Sequence, residues 1–267
     1  AEWARRTRAQ MRIVHVTPPK RWVSGAWGID TSAVDAIQSY ATNALKQAAE
    51  RADPRRSIEL STGVLSGAAA KCIARAALDY RADLLVVGAR GERSDSGERV
   101  LGGTSSKLLA AAGAPLLLVR RTRMDPVAGV VAALDLSSHS RTVLEWADLA
   151  SADQHLYAYH VYDVPFAARL ETYGLSANLI DVYSTQARSQ READLAALVA
   201  SIGRAGVTSR MVERGEPLVL LRRYIESVRP SLVVLGKGIA GKRSSSSNVG
   251  GICRFIAGVV SADVLVV

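Results

Sequence analysis

The sequence predicts an α/β protein of two tandem domains, each built on a doubly wound, five-stranded parallel sheet. Short segments rich in Val, Leu and Ile alternate with longer segments of helical periodicity, which is typical of βαβ units. Residues 215–267 also repeat residues 67–119 at a constant offset of 148, without a gap. We therefore place the first domain at 1–122 and the second at 123–267, with a short linker at 121–126.

The second half carries a complete set of elements for such a domain. Its predicted strands lie near 129–134, 156–161, 207–212, 232–236 and 263–267, and its predicted helices near 139–152, 167–203, 217–228 and 251–260. In the first half, residues 30–52 form the matching helix, which is polar with one apolar stripe. Strands of the first half run into His15-Val16, into Gly88 and through 115–119.

The first half lacks the start of the module. Its opening residues Ala-Glu-Trp-Ala match Leu-Glu-Trp-Ala at 144–147, so residue 1 falls inside the first helix. No segment matches the strand 129–134 or the Asp135 that follows it. Such a strand is central in a doubly wound sheet, and without it two neighbouring strands would stand about 10 Å apart without hydrogen-bond partners. We expect the natural protein to carry this strand upstream.

A glycine-rich loop follows the fourth strand of each module. In the first repeat, strand 84–87 leads into Gly88-Ala89-Arg90-Gly91, and Gly102-Gly103-Thr104-Ser105 then opens a helix. Glycines at such places let backbone N–H groups approach an anion at the positive end of the helix. The loop therefore predicts a phosphate site. The alternative is that the glycines only shape a turn and start a helix.

Composition narrows the possible functions. No apolar run approaches the ~20 residues that span a bilayer, and the start of the chain does not resemble a secretory signal. Cys72 and Cys253 are too few for a disulfide framework or a metal site. The net charge of +9 comes from dispersed arginines without interleaved aromatic residues. We expect a cytoplasmic protein without a membrane or nucleic-acid partner.

The sequence offers no catalytic constellation. His15 and His160 end apolar strands, where a packed or hydrogen-bonded histidine is expected. Ser137 and Ser140 flank a helix start, where capping is expected rather than nucleophilic attack. We therefore predict no catalytic residues and no metal site.

Taken together, these residues resemble the universal stress protein family over nearly the whole chain. The family pattern combines a strand ending in Asp, a strand ending in His-Val and a strand running into G-x2-G-x9-G-[ST]. Asp135, His160-Val161 and the two glycine-rich loops match it in order and spacing. The resemblance implies an adenine nucleotide alpha hydrolase-like fold of strand order 3-2-1-4-5. It also implies that ATP, or a related adenine nucleotide, binds with Mg²⁺ where strands one and four diverge.

Transferred by position, the resemblance assigns nucleotide contacts in both repeats. In the first, Val16 would meet the adenine, Gly88, Arg90 and Gly91 would lie beside the ribose, and Gly102, Gly103, Thr104 and Ser105 would hold phosphates. In the second, the corresponding residues are Asp135, Val161, Gly236 and Gly250. Family members commonly pair through the last strand, which implies association of the two halves and leaves a homodimer open.

Departures from the family pattern weaken both sites. Gly103 takes the place of the family's first hydroxyl, and the loop after Gly91 carries ten residues instead of nine. In the second repeat, Ile239 replaces the loop glycine, and Ile252-Cys253 match Thr104-Ser105. We expect a nucleotide-sensing stress protein whose working site lies in 1–122. The alternative is a nucleotide-free tandem scaffold that acts by protein contact or holds another small ligand.

Overall fold

The chain divides into two compact units in the computed structural model. The structure describes residues 1–19, 31–90, 101–120, 128–152, 154–163, 177–203, 206–238 and 250–267. The units are Ala1–Ala82 and Asp83–Val267, so they do not coincide with the two sequence repeats. The predicted domain boundary at 122 therefore stays a prediction.

The first unit contains a two-stranded parallel sheet with helices packed on it. Its elements are α1 (Glu2–Thr7), β1 (Met11–Thr17), α2 (Thr31–Ala52), β2 (Leu60–Ser66) and α3 (Ala69–Asp79). The register runs from Met11 opposite Leu60 to Thr17 opposite Ser66. Both α2 and α3 contact the two strands, and α2 buries Val34, Ala41 and Leu45.

The second unit is built on a seven-stranded sheet of order β3-β4-β9-β8-β5-β6-β7. The strands are β3 (Leu85–Gly88), β4 (Leu116–Val119), β5 (Val130–Leu134), β6 (Leu156–Tyr162), β7 (Val207–Arg214), β8 (Leu232–Leu235) and β9 (Asp263–Val266). The helices are α4 (Gly103–Ala111), α5 (Ser140–Ser151), α6 (Ala177–Ala200), α7 (Pro217–Val228) and α8 (Gly251–Val259). Strands β8 and β9 are buried along their whole length, which places the core at the centre of this sheet.

In the second repeat, the structure confirms the predicted strands, helices and strand order. Its order β7-β6-β5-β8-β9 is the third, second, first, fourth and fifth strand of the module. The helix predicted at 167–203 is described as α6, and the part of that prediction before residue 177 lies outside the described residues. None of the helices that the structure describes is long and apolar enough to cross a membrane.

The two repeats are joined through their last strands, as the family resemblance implied. β4 pairs antiparallel with β9, with Leu116 opposite Val266 and Leu118 opposite Val264. All four side chains are fully buried, at 0% exposure. This pairing makes β3 and β4 part of the second unit, which explains why the compact units differ from the repeats.

Arg120 reinforces the joint between the repeats. Its backbone N–H donates to the buried Asp263 carboxylate at 2.6 Å. Its guanidinium donates to the carbonyls of Ala257 and Gly258, near the end of α8. A cation at this end of a helix satisfies carbonyls that have no partner within the helix and interacts favourably with the helix dipole.

We expect Arg120→Met to lower the free energy of unfolding by about 2 kcal/mol, because carbonyls that are partly buried lose a charged donor. Methionine keeps the backbone N–H, so the hydrogen bond from residue 120 to the Asp263 carboxylate is retained. Urea denaturation measures the effect, with Arg210→Met on the exposed face of β7 as the control. Equal losses in the two variants would contradict the role given to Arg120.

The first repeat has no counterpart of β5 among the described residues. There, β1 pairs with β2 and β3 pairs with β4, whereas the matching strands β6 and β8 both pair with β5. The consequence is seen at Val86 on β3, which is 53% exposed, while its counterpart Val234 is 0% exposed. The strand expected upstream stays a prediction.

Candidate functional site

The glycine-rich loop of the first repeat connects β3 to α4. Ala89, directly after Gly88, is fully buried, and its N–H donates to the Val119 carbonyl at 2.8 Å. The N–H of Gly102 donates to the Ala89 carbonyl at 2.9 Å. These bonds hold both ends of the loop beside the carboxyl end of β4. Gly91 lies outside the described residues.

The start of α4 is open. Gly102 precedes the helix in an extended conformation (φ −61°, ψ 152°), and no described side chain caps the helix. A Cβ added at Gly103 would meet nothing within 4 Å. The next residue, Thr104, is exposed. The first helical N–H groups and the positive end of the helix dipole thus border space in which an anion could be bound.

Of the residues predicted to bind phosphate, Ser105 differs most from the expectation in its placement. Its side chain is buried, and its hydroxyl donates to the Gly88 carbonyl at 2.7 Å. The hydroxyl therefore ties the helix start to the end of β3. A phosphate would have to compete with that carbonyl for the Ser105 proton.

The remaining contacts of the first site stay predictions. Val16 is half-buried near the carboxyl end of β1, in the unit Ala1–Ala82. Arg90 is exposed and belongs to the other unit, together with Gly88 and the start of α4.

The corresponding loop of the second repeat uses its glycines for close packing. Gly238 has φ +110°, and a Cβ there would lie 2.8 Å from both the N and the Cα of Gly250. The Gly250 N–H donates to the Lys237 carbonyl at 2.5 Å. A Cβ added at Gly236 would lie 3.6 Å from the Val143 side chain, which is an ordinary contact distance. The described residues at the two ends of this loop therefore pack against each other.

Asp135 is engaged at the start of α5. Its carboxylate accepts hydrogen bonds from the Ser137 N–H at 2.9 Å and from the Ser140 hydroxyl at 2.8 Å. Burial by itself would raise the pKa of Asp135, but the hydrogen bonds from both serines outweigh it and hold the pKa below its ordinary value. The residue at the cap position is His139, and its side chain makes no cap hydrogen bond, so Ser137 and Ser140 do not cap the helix as expected but bind Asp135. Val161, the other predicted contact near this end of the sheet, is half-buried.

His160 is buried as predicted, and one of its ring nitrogens has no partner. Nδ1 donates to the Leu134 carbonyl on β5 at 2.8 Å, so the neutral ring carries its proton there. Nε2 is buried and makes no hydrogen bond with the described residues. Its counterpart His15 is exposed, which corrects the expectation of a packed histidine. The reason is that no described strand supplies His15 with the carbonyl that β5 supplies to His160.

The buried His160 predicts a stability that depends on pH. Burial, assisted by the charge of Arg191, lowers the pKa of His160 in the folded protein below its ordinary value of 6.5. The unfolded chain therefore binds more protons between these two pKa values. We expect the free energy of unfolding to fall as the pH drops below about 6.5, and to stop falling on this account below the folded pKa.

Urea denaturation at a series of pH values tests this expectation. His160→Gln should flatten the dependence in that window, while His15→Gln, which removes the exposed counterpart, should leave it unchanged. A wild-type slope that persists in His160→Gln would assign the dependence to other groups.

Two features of the second unit were missed from the sequence. Tyr159 is buried, donates its hydroxyl to Glu213 at 2.7 Å and stacks on Tyr224 with ring centroids 4.1 Å apart. Burial and the hydrogen bond to Glu213 raise the pKa of Tyr159.

Lys237, which stands between Gly236 and Gly238, donates a hydrogen bond to the carbonyl of Ala112 at 2.5 Å. Ala112 directly follows α4. Burial lowers the pKa of Lys237. A lysine at a strand end was the available signal, but its partner is remote in sequence.

No group of three or more His, Cys, Asp or Glu in the described part of the chain is arranged to hold a metal ion.

Comparison with known proteins follows the same division into repeats. The profile of the universal stress protein family matches residues 1–120 and again 129–267. The chain is similar to a universal stress protein from Archaeoglobus fulgidus DSM 4304, with a TM-score of 0.71 at 16% identity over 99% of this chain and 91% of that one.

Two further solved structures share the fold. A functionally unknown protein from Pseudomonas aeruginosa PAO1 has a TM-score of 0.64 at 18% identity, covering 99% of this chain and 84% of its own. A putative universal stress protein from Pseudomonas aeruginosa UCBPP-PA14 has a TM-score of 0.59 at 18% identity, covering 96% and 92%. No curated protein sequence gives a significant match.

Proposed function

Because the chain belongs to the universal stress protein family, we propose that it binds an adenine nucleotide in its first repeat and uses the bound state as a signal. The ligand is ATP with Mg²⁺, and the phosphates lie at the start of α4. Binding changes a surface that a partner protein reads.

The observation that carries the proposal is the open start of α4. Its first turn has no described side-chain cap, and nothing lies within 4 Å of the Cβ position at Gly103. Backbone N–H groups at such a helix end bind phosphate without a dedicated side chain. The exposed Thr104 adds a hydroxyl one residue later. The hydroxyl missing at Gly103 costs about 1.5–3 kcal/mol if its bond would have been charge-assisted.

The second repeat is proposed to be structural. Its loop glycines Gly238 and Gly250 pack closely against each other, although the Cβ position of Gly251 is as open as that of Gly103 among the described residues. At the positions of Thr104 and Ser105 it has Ile252, which is 42% exposed, and Cys253, which is buried. Neither side chain donates a strong hydrogen bond to phosphate.

We further propose a cytoplasmic protein that regulates by binding and is not a committed enzyme. The nucleotide would be hydrolysed slowly at most. The protein partner is unidentified, and self-association beyond the intramolecular β4–β9 pairing is left to experiment.

A second candidate function is a nucleotide-free scaffold made of the two repeats. It is favoured by the Ser105 hydroxyl, which is already committed to the Gly88 carbonyl. The ends of the loop are also fixed by internal hydrogen bonds of Ala89 and Gly102.

Calorimetric titration with ATP and Mg²⁺ distinguishes the two functions, after bound nucleotide has been checked and removed. If the protein is a nucleotide sensor, we expect about one ATP site per chain with micromolar affinity. The absence of both heat and co-purified nucleotide would favour the scaffold. Titration with AMP under the same conditions identifies the preferred nucleotide.

A further inference from the structure

Three arginines of the first unit have a backbone conformation that glycine adopts with less strain. Arg8, Arg56 and Arg81 have φ of 54°, 50° and 52°. Side chains rarely occupy this left-handed region, because Cβ comes too close to the backbone. After the corresponding helices of the second repeat, φ is positive at Ala152, Gly203 and Arg229, and Ala152 has ψ −111°, outside the left-handed region. After two of these three helices the residue is not arginine.

The three residues belong to one edge of the first unit. α1, α2 and α3 all run back toward the amino ends of β1 and β2, and the arginines follow these helices. Contacts hold the edge together. The Arg5 guanidinium donates to the Ala52 carbonyl at 2.8 Å, and the Met11 N–H donates to the backbone carbonyl of Glu59 at 2.8 Å. The Arg12 guanidinium lies over the Tyr80 ring, 5.6 Å from its centroid.

Four arginines at this edge, here named the amino-edge arginines, have uncompensated charge. They are Arg8, Arg55, Arg56 and Arg81. All four are exposed, and their side chains make no hydrogen bond or ion pair with the described residues.

Three acidic groups near this edge are engaged elsewhere, whereas Glu50, in the last turn of α2, is exposed. Asp53 is buried and accepts from Ser57 and Ile58, Glu59 accepts from Gln10, and Asp79 pairs with Arg75.

Charge is distributed unevenly between the two units. Residues 1–82 hold 13 Lys and Arg against 7 Asp and Glu, so this unit contributes +6 to the chain's net charge of +9. Among the described residues of the second unit, several arginines form ion pairs within the protein, including Arg141, Arg188, Arg191, Arg222 and Arg223. The amino edge of the first unit is thus a strongly basic surface with few internal partners.

We propose that the amino-edge arginines form a docking surface for an acidic segment of a partner protein. A guanidinium binds a carboxylate through two parallel hydrogen bonds, which an edge of several arginines can repeat along a chain of Asp and Glu. Leu78, in the last turn of α3 and 64% exposed, adds an apolar contact beside Arg81.

The same observations argue against other anionic partners. A nucleic acid would need exposed aromatic side chains for stacking or an element that enters a groove. Of the aromatic side chains described near this edge, Trp3 is half-buried and Tyr80 is covered by Arg12. A single exposed leucine is too little for insertion into lipid.

The test replaces three arginines by the residue that their backbone favours. The variant Arg8→Gly/Arg56→Gly/Arg81→Gly should keep the fold, with an unchanged or higher thermal midpoint. We expect wild-type protein to bind a fluorescent oligoglutamate in anisotropy measurements, more weakly as salt is added. The triple variant should lose roughly tenfold in affinity, since each exposed pair contributes a small amount. Arg229→Gly is the matched control, because Arg229 has φ 50° in the second unit, and its binding should equal that of wild type.

The proposal is overturned if oligoglutamate does not bind, or if the triple variant binds it as tightly as wild type does. It is also overturned if a DNA duplex or vesicles containing phosphatidylserine bind more tightly than oligoglutamate and lose that binding in the triple variant. In that case the edge would serve phosphates rather than carboxylates.

Discussion

Replacing Gly238 by alanine is expected to destabilise the protein by about 3 kcal/mol. The backbone at Gly238 has φ +110°, which side chains rarely adopt, and the added Cβ would lie 2.8 Å from two backbone atoms of Gly250. Backbone cannot move aside as a flexible side chain can, so either the loop or the start of α8 must shift. Chemical denaturation of the purified variant measures the loss.

Gly251→Ala is the control for this experiment. Gly251 is next to Gly250, but nothing lies within 4 Å of its Cβ position. Alanine is also the better helix former, so the free energy of unfolding should change by less than about 0.5 kcal/mol or rise slightly. Similar losses in the two variants would show that the second loop is not packed as described.

The contrast between the two loops separates what the sequence could predict from what it could not. The repeat predicted both helix starts, and Gly102 and Gly250 indeed have nearly identical backbones, with φ −61° in both and ψ of 152° and 150°. The contact between Gly238 and Gly250 was beyond reach, because the first repeat has Arg90 at the position of Gly238 and offers no comparison. From sequence alone, Gly102 and Gly250 were candidates for the same role.

Strand order was predictable where every neighbour of a strand is present. The second repeat contains its central strand β5, and its predicted order is confirmed. In the first repeat no described strand matches β5, so β3 and β4 join the sheet of the second repeat while β1 and β2 form their own. The exposed His15 has the same origin. A local sequence pattern indicates a strand, but it does not show which neighbouring strands will supply hydrogen bonds to that strand.

The left-handed arginines had no signal in the sequence. Such positions are usually recognised by Gly or Asn, and Arg8, Arg56 and Arg81 offer neither. The partners of Arg120 and Lys237 were hidden for a different reason, since each donates to the end of a helix in the other repeat.

Gly103→Ala is expected to abolish most nucleotide binding without harming the fold. A methyl group at this position meets none of the described residues within 4 Å, so stability should be unchanged or slightly higher. It would instead occupy the space in which we propose that the phosphates lie. Displacing one or two charge-assisted hydrogen bonds, at about 1.5–3 kcal/mol each, weakens affinity roughly tenfold or more.

The most direct test of the nucleotide site is to compare the affinity for ATP with Mg²⁺ of wild type, Gly103→Ala and Gly251→Ala by calorimetry. The two variants add the same methyl group at corresponding helix starts, one in each repeat. We predict that Gly103→Ala alone loses affinity, roughly tenfold or more, while all three proteins keep similar thermal midpoints. Wild-type affinity in Gly103→Ala, or an equal loss in Gly251→Ala, would contradict a phosphate site at the start of α4.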